Sequence, residues 1–226
     1  MVTPYYEDDL VTLYHGDCRE QTAWLEADVL VTDPPYGRAW RQGEIKGRRA
    51  SAPNAGIAND GDTSIRDAAL TLWGDREAIV FGDLMLAPPT RTKQVGIYRK
   101  PNDAGSRGAT AGLRRDVEAI YLVGPWASGL GGRSSMFATS AATVGNPSGL
   151  AARYGHPHAK PLDVMQGLID LSLPAAMIAD PFAGSGSTLV AAKLLGRRAV
   201  GVELEERYCE VVARRLAQDT LFGGAA

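Results

Sequence analysis

The tetrapeptide Asp33–Tyr36 brings a carboxylate, two prolines and an aromatic ring together directly after an apolar run of residues. Each proline has a fixed φ angle and disfavours helix at the residue before it, so the segment is stiff. A carboxylate and a prolyl carbonyl that accept the two hydrogens of a nucleobase amine would localise the nitrogen lone pair, while Tyr36 stacks on the base. The tetrapeptide is therefore suited to making an exocyclic amine nucleophilic, although a simple turn that leaves a strand could have the same sequence.

A glycine-rich segment in the last third of the chain, residues 180–188, follows an apolar run and opens a helical pattern. Its glycines allow the backbone to approach a ligand, and a helix N-terminus offers unpaired N–H groups. Glu203 ends the next apolar run, where an acid can hold the hydroxyls of a ribose. The two features predict a nucleoside-binding site, although glycines are also common in ordinary tight turns. The segment lacks the Gly-Lys-Ser/Thr of a P-loop, which disfavours a nucleoside triphosphate.

Apolar runs that alternate with helical patterns must position these motifs. The alternation predicts an α/β fold with a doubly wound, mostly parallel sheet. Strands are predicted at residues 10–14, 28–32, 78–81, 95–98, 119–123, 176–179 and 199–202, and helices at 161–171, 187–195 and 205–217.

The composition is that of one folded domain over residues 1–226, with 45% hydrophobic and 22% charged residues. The chain has no apolar run long enough for a membrane span and no signal-like N-terminus, so we expect a cytoplasmic protein. Cys18 and Cys209 are far apart in the sequence and are expected to be buried thiols rather than a disulfide. The three histidines lack ligand-spaced partners, so no metal is expected.

The charge distribution is uneven although the net charge is only −2. Residues 38–49 carry a net charge of +4 and residues 91–115 one of +6, so the remainder is acidic. This pattern favours one face that contacts a phosphate backbone, the alternative being scattered solvated arginines. We expect a basic, mobile loop at about 38–62 and a small insertion of irregular structure at about 125–154. The residues predicted to contact DNA are Arg38, Arg41, Lys46, Arg48, Arg49, Arg99, Lys100, Arg114 and Arg115.

Together the two motifs resemble those of the S-adenosylmethionine-dependent amino-methyltransferases of DNA. In that family an Asp-Pro-Pro-Tyr tetrapeptide carries catalysis and a Phe-x-Gly-x-Gly turn binds the cofactor. Here the tetrapeptide precedes the turn Phe182–Gly186, a circularly permuted order that is similar to the β class. Glutamine methyltransferases of release factors have the opposite order. The resemblance implies a Rossmann-like methyltransferase fold in which Asp33, Pro34, Pro35 and Tyr36 are the catalytic residues.

Three further segments match the same family. Gly16-Asp17 is similar to an acidic element near the cofactor adenine, residues 156–161 to a His-Pro-x-x-Lys-Pro element, and residues 114–118 to an arginine-rich stretch with a glutamate. The resemblance implies that S-adenosylmethionine is bound and S-adenosylhomocysteine released. The implied cofactor-binding residues are Asp17, Cys18, Asp33, His156, Lys160, Asp180, Phe182, Gly184, Ser185, Gly186, Ser187, Thr188 and Glu203.

The predicted activity is methyl transfer to the exocyclic N6 of adenine in DNA, with the target base flipped out beside Tyr36. In the family an Asp at the first motif position tends to accompany adenine and Ser tends to accompany cytosine, so cytosine N4 stays an alternative. The same motifs are compatible with a catalytically idle DNA-binding scaffold and with an RNA or protein methyltransferase. The short recognition insertion predicts relaxed sequence specificity, as in an orphan or phage methylase rather than a stringent restriction-modification partner.

The segment Gln218–Phe222 follows the predicted last helix. It resembles the short peptide by which bacterial replication proteins dock on the sliding clamp, since an exposed Leu-Phe pair can anchor in an apolar pocket. The alternative is that Leu221 and Phe222 cover the protein's own sheet edge. The sequence leaves a homodimer, the recognition sequence and the biological setting open.

Overall fold

A single nine-stranded sheet organises the computed structural model, which describes residues 3–39, 57–100, 113, 116–126, 132–139 and 159–222. The strands are β1 (Tyr6–Glu7), β2 (Val11–His15), β3 (Val29–Thr32), β4 (Ala78–Gly82), β5 (Thr92–Arg99), β6 (Val117–Val123), β7 (Met136–Ala138), β8 (Ile178–Asp180) and β9 (Ala199–Glu203). The helices are α1 (Ser64–Trp73), α2 (Leu162–Ile169), α3 (Ser187–Leu194) and α4 (Glu206–Phe222), with a 3₁₀ helix at Thr22–Glu26.

The strand order is β1-β2-β9-β8-β3-β4-β6-β5-β7. The five strands from β2 to β4 in this order are parallel to one another, whereas β6 is antiparallel to both β4 and β5. The predicted α/β fold with a mostly parallel sheet is therefore confirmed. Strands β8 and β9 from the last part of the chain lie side by side between β3 and β2 from its first part.

Helices cover both faces of the sheet. The central strands β3 and β4 are buried along their whole length, which explains their continuous apolar sequences. One face of the sheet packs against α2, α3 and α4, and the other packs against α1 and the 3₁₀ helix. On the second face the rings of Trp24 and Trp73 stack with their centroids 5.8 Å apart.

The structure corrects the sequence predictions at three places. Helix α1 was not predicted, although Ile65, Ala69 and Trp73 recur at helical spacing and are buried. Strand β7 lies within the insertion that was expected to be irregular. Helix α4 runs on to Phe222, so the prediction that Gln218–Phe222 follows the last helix is wrong. The segment contains no helix-breaking residue before the glycines at 223 and 224, and the clamp contact itself stays a prediction.

Several predicted residues cannot be placed. The possible DNA contacts Arg41, Lys46, Arg48, Arg49, Arg114 and Arg115, and the implied cofactor residue His156, lie outside the described residues. Within the described part of the chain, no helix is both long and apolar enough to span a bilayer.

Candidate active site

A cavity of about 390 Å³ lies where the carboxyl ends of the parallel strands meet. The loop after β3 supplies Asp33–Tyr36, the loop after β8 supplies the glycine-rich turn, and Glu203 ends β9. The volume is in the range of small-molecule sites, which in open α/β sheets lie at this edge. The fold therefore brings together the two motifs that are about 150 residues apart in the sequence.

Glu203 holds the glycine-rich turn and the start of its own loop through backbone hydrogen bonds. Its carboxylate accepts hydrogen bonds from the N–H of Gly184 at 2.7 Å and from the N–H of Glu205 at 2.8 Å. Gly186 has a φ of 80°, and a Cβ atom there would lie 2.8 Å from Cγ1 of Val212 on α4. The turn is thus packed so closely on α4 that this position requires glycine.

Burial raises the pKa of Glu203 to about 7, and the charges of Glu205 and Asp180 act in the same direction. The two backbone hydrogen bonds oppose this shift. Each carboxylate oxygen accepts one N–H and keeps a lone pair for another donor. Glu203 can therefore accept hydrogen bonds from a ligand that lies in the cavity.

Asp180 connects the two motifs. It is buried and accepts hydrogen bonds from the hydroxyl of Thr32 at 2.7 Å and from the N–H of Phe182 at 3.1 Å. Burial raises its pKa to about 6 against the effect of hydrogen bonds from Thr188 and Thr32. Since Thr32 directly precedes Asp33, the Asp180 side chain fixes the glycine-rich turn relative to the Asp33–Tyr36 tetrapeptide.

Most of the residues implied to bind the cofactor line this cavity. Asp17 also forms an ion pair with Arg19 at 2.5 Å, and burial raises the pKa of the Cys18 thiol to about 12, so the thiol is neutral. The cavity-lining members of the predicted set are Asp17, Cys18, Asp33, Lys160, Asp180, Phe182, Gly184, Ser185, Ser187, Thr188 and Glu203.

A hydrogen-bonded cluster surrounds the tetrapeptide at the other end of the cavity. The hydroxyl of Tyr36 lies 2.7 Å from Oδ1 of Asp33 and 3.1 Å from Oε2 of Glu118. The ammonium group of Lys160 pairs with Oδ2 of Asp33, lies 3.2 Å from Oε2 of Glu118 and donates to the Tyr36 hydroxyl at 3.3 Å. Lys100 pairs with the other carboxylate oxygen of Glu118 at 2.6 Å. Both oxygens of Asp33 are thus held in place.

The charge states in this cluster follow from burial and from neighbouring ions. Burial alone would lower the pKa of Lys160, but the carboxylates of Asp33 and Glu118 raise it, so the ammonium is charged. Burial would raise the pKa of Glu118, but Lys160 and Lys100 lower it, so this carboxylate is ionised. Burial and the two carboxylates raise the pKa of Tyr36, which keeps its proton.

Residues 60–62 fix the backbone just after the tetrapeptide. The carboxylate of Asp60 accepts a hydrogen bond from the N–H of Gly37 at 2.7 Å. Gly37 has a φ of 82°, and a Cβ atom there would lie 2.6 Å from the carbonyl carbon of Asp62. The two prolines restrict the backbone of the tetrapeptide, and contacts from residues 60–62, at the C-terminal end of the predicted basic loop, restrict the residue that follows it.

Glu118 is the residue that the sequence analysis missed. It was noted only as part of a motif, whereas it contacts Tyr36, Lys160 and Lys100. One feature of the sequence could have identified it: Glu118 is the second residue of the otherwise apolar strand β6. A buried charge needs partners, so a carboxylate at this position predicts nearby cations. Lys160, which was implied to bind the cofactor, has its ammonium group beside Asp33 and Tyr36, which were predicted to be catalytic.

The described residues of the basic segments make varied contacts. Arg38 lines the cavity and pairs with Asp83, and Lys100 lines the cavity beside Glu118. Arg99 is exposed on β5. In the part of the chain that the structure describes, no group of three or more His, Cys, Asp or Glu side chains could hold a metal ion.

Residues 133–214 match the family model described as DNA methylase. The C-terminal part of the chain is similar to this DNA methylase family. The YubD protein of Escherichia coli (strain K12), whose name describes it as a methylase, is 49% identical over 74 residues, which are 31% of this chain and 33% of that protein. The type II methyltransferase M2.DpnII of Streptococcus pneumoniae is 42% identical over 62 residues, 27% of this chain and 23% of that one. These DNA methylase alignments span a third or less of the relatives' length.

Two solved methyltransferase structures have the same fold along most of the chain. The complex of M1.HpyAVI with SAM superposes with a TM-score of 0.65 at 19% identity, covering 92% of this chain and 99% of that one. The PvuII DNA methyltransferase, which is cytosine-N4-specific, gives a TM-score of 0.65 at 15% identity, covering 94% and 88%. The methyltransferase fold and the family resemblance that the sequence predicts are confirmed.

Proposed function

We propose that this protein is a DNA methyltransferase that uses S-adenosylmethionine to methylate the exocyclic N6 of adenine. The observation that carries the proposal is that the Asp33–Tyr36 tetrapeptide and the Glu203-held glycine turn line one cavity. The match of residues 133–214 to the DNA methylase family model and the names of the type II methyltransferase relatives support DNA methyl transfer.

The residues present fit S-adenosylmethionine. The carboxylate of Glu203 has lone pairs for ribose hydroxyls, and the cavity carries further carboxylates suited to a cationic ligand. When bound, the donor supplies a methyl group that is already activated by the sulfonium charge. The chain therefore has to hold the acceptor amine in line with that methyl group and to accept the amine's hydrogens.

Asp33 is suited to that task because its position is fixed before substrate arrives. Tyr36 and Lys160 each hold one of its carboxylate oxygens, and the following prolines restrict the backbone. An acceptor that does not have to reorganise stabilises a developing positive charge most effectively. The amine of a base can reach Asp33 only when the base leaves the helical stack, so we infer base flipping beside Tyr36. The basic segments would then hold the flanking phosphates.

Digestion of treated DNA to nucleosides, followed by mass spectrometry, tests the activity. We expect N6-methyladenine to accumulate with the wild-type protein and to be absent with the Asp33→Asn variant. N4-methylcytosine would favour the second candidate, which the likeness to a cytosine-N4-specific enzyme supports. If neither base is methylated while S-adenosylmethionine binds in calorimetry, the chain is an idle scaffold and the proposal is wrong.

Replacing Glu203 by Gln should weaken S-adenosylmethionine binding by about tenfold or more. The variant loses a charged acceptor, a change of roughly 1.5–3 kcal/mol. In the wild type the carboxylate ionises near pH 7, so binding that needs the charged form should weaken as the pH falls below 7. Calorimetric titrations at pH 6.5, 7.5 and 8.5 measure both effects.

Glu205→Gln is the matched control, because Glu205 lies in the same loop, donates its backbone N–H to Glu203 and otherwise acts on Glu203 through its charge. It should retain a pH dependence of binding, moved to lower pH because the Glu205 charge no longer raises the pKa of Glu203, whereas Glu203→Gln should abolish the pH dependence. Equal affinities of wild type and folded Glu203→Gln would show that Glu203 does not hold the donor.

A further inference from the structure

A continuous chain of hydrogen-bonding groups leads from the catalytic carboxylate toward the surface. Oδ1 of Asp33 contacts the Tyr36 hydroxyl at 2.7 Å, and that hydroxyl contacts Oε2 of Glu118 at 3.1 Å. Oε1 of Glu118 contacts the ammonium group of Lys100 at 2.6 Å. The side chain of Glu118 is 7% exposed and that of Lys100 is 26% exposed, so the chain starts in the cavity and ends at a group that reaches solvent.

We propose that Tyr36, Glu118 and Lys100 form a proton relay that removes the proton lost by the target amine. The proposal rests on the proposed methyltransferase activity. It gives Tyr36 a second role besides stacking on the base, and it gives Glu118 and Lys100 a role separate from binding the base. Asp33 touches the amine, and the three other side chains act through Asp33. The contacts needed for the relay are already made before substrate binds.

Methyl transfer and proton removal form and break bonds in the following order. The nitrogen lone pair forms the N–C bond to the methyl group, and the electron pair of the broken C–S bond goes to the donor's sulfur. As the N–C bond forms, the extra proton of the nitrogen moves to Oδ1 of Asp33. Asp33 passes that proton to the Tyr36 oxygen as the Tyr36 hydroxyl gives its own to Oε2 of Glu118. Lys100 gives a proton to solvent and takes the one held by Glu118.

The geometry favours this route over direct loss to water. A flipped base beside Tyr36 covers Asp33 and keeps water from it, whereas Lys100, which lines the same cavity beside Glu118, is 26% exposed and can pass a proton to solvent. Tyr36 keeps its proton and lies between two carboxylates, which is the arrangement required of a group that donates to one while accepting from the other. The cations Lys160 and Lys100 favour the ionised form of Glu118, so the proton does not stay there.

Single-turnover methylation, with saturating donor and in mixtures of H₂O and D₂O, tests the relay. For the wild type, a plot of the methylation rate against the fraction of D₂O should be curved, because more than one proton moves with methyl transfer. Tyr36→Phe keeps the ring and all formal charges, and Glu118→Gln keeps the shape. Each variant should slow the transfer by about 10²-fold, a typical contribution of a positioned proton acceptor, and should make the D₂O dependence linear.

The double variant distinguishes a relay from two separate structural effects. If both residues serve one path, Tyr36→Phe with Glu118→Gln should be no slower than the slower single variant. Tyr6→Phe is the matched control and should match wild type, because its hydroxyl contacts Asp8 at the edge strand β1. Thermal unfolding and donor titration check that each variant folds and is saturated.

The possible outcomes separate a failure of the proton relay from a failure of the proposed methyltransferase activity. A linear or absent D₂O dependence in the wild type, or rate losses that multiply in the double variant, would overturn the relay while methylation itself stands. If Glu118→Gln does not fold, the comparison of wild type with Tyr36→Phe decides alone. If the wild type methylates no base, the proposed function fails and the relay fails with it.

Discussion

Asp33→Asn should lower the rate of methyl transfer by at least about 10²- to 10³-fold, the size expected when a fixed electrostatic acceptor is lost. The asparagine amide keeps the size of the side chain but replaces one acceptor oxygen by a donor. It can no longer accept an amine hydrogen at both positions or take up the proton. Donor affinity should stay within a few-fold, because Glu203 and the glycine-rich turn are unchanged.

A steady-state assay with tritiated donor on DNA measures the rate, and calorimetry measures donor affinity. Asp75→Asn is the matched control, since the Asp75 side chain is 94% exposed and pairs only with Arg91 among the described residues. Asp33→Asn retains Glu118 as a partner for Lys160, so the fold should persist. Turnover near the wild-type rate in a folded Asp33→Asn protein would show that this carboxylate does not activate the amine.

Local sequence patterns were enough to predict those site residues that lie at the carboxyl end of one strand. The run that forms β3 is buried at every position, so its apolar sequence identified a central strand and placed Asp33 at its carboxyl end. The same argument placed Glu203 after β9. Since parallel strands share their carboxyl edge, the meeting of the two motifs in one cavity followed from the fold class.

Contacts between distant segments could not be predicted in the same way. Lys160 and Glu118 are 42 residues apart, and their contact depends on how the segment before α2 packs against β6. The sequence showed a lysine in a motif and a glutamate in a strand, with no sign that they pair. Helix α1 was missed for a related reason, because its short amphipathic pattern follows directly on a long polar segment.

Lys160→Met should lower the free energy of unfolding by about 3–5 kcal/mol, the usual cost of removing one partner from a buried ion pair. Lys160 is only 6% exposed and lies between the carboxylates of Asp33 and Glu118. Methionine fills a similar volume but leaves these two charges facing each other across the single proton of Tyr36. Methyl transfer should fall as well, because Asp33 loses the cation that orients it.

Urea denaturation at pH 7.5 measures the loss, and two further variants separate its causes. Lys160→Met combined with Glu118→Gln should recover part of the stability, since it removes one of the uncompensated charges. Lys193→Met is the matched control and should cost less: Lys193 pairs with a single carboxylate, that of Asp8 at 2.6 Å, so the substitution leaves one charge rather than two without its cation. If Lys160→Met cost no more than Lys193→Met, Lys160 would not be neutralising a buried pair. The cation would then serve substrate binding alone, and the preorganisation of Asp33 would have to come from Tyr36 and the two prolines.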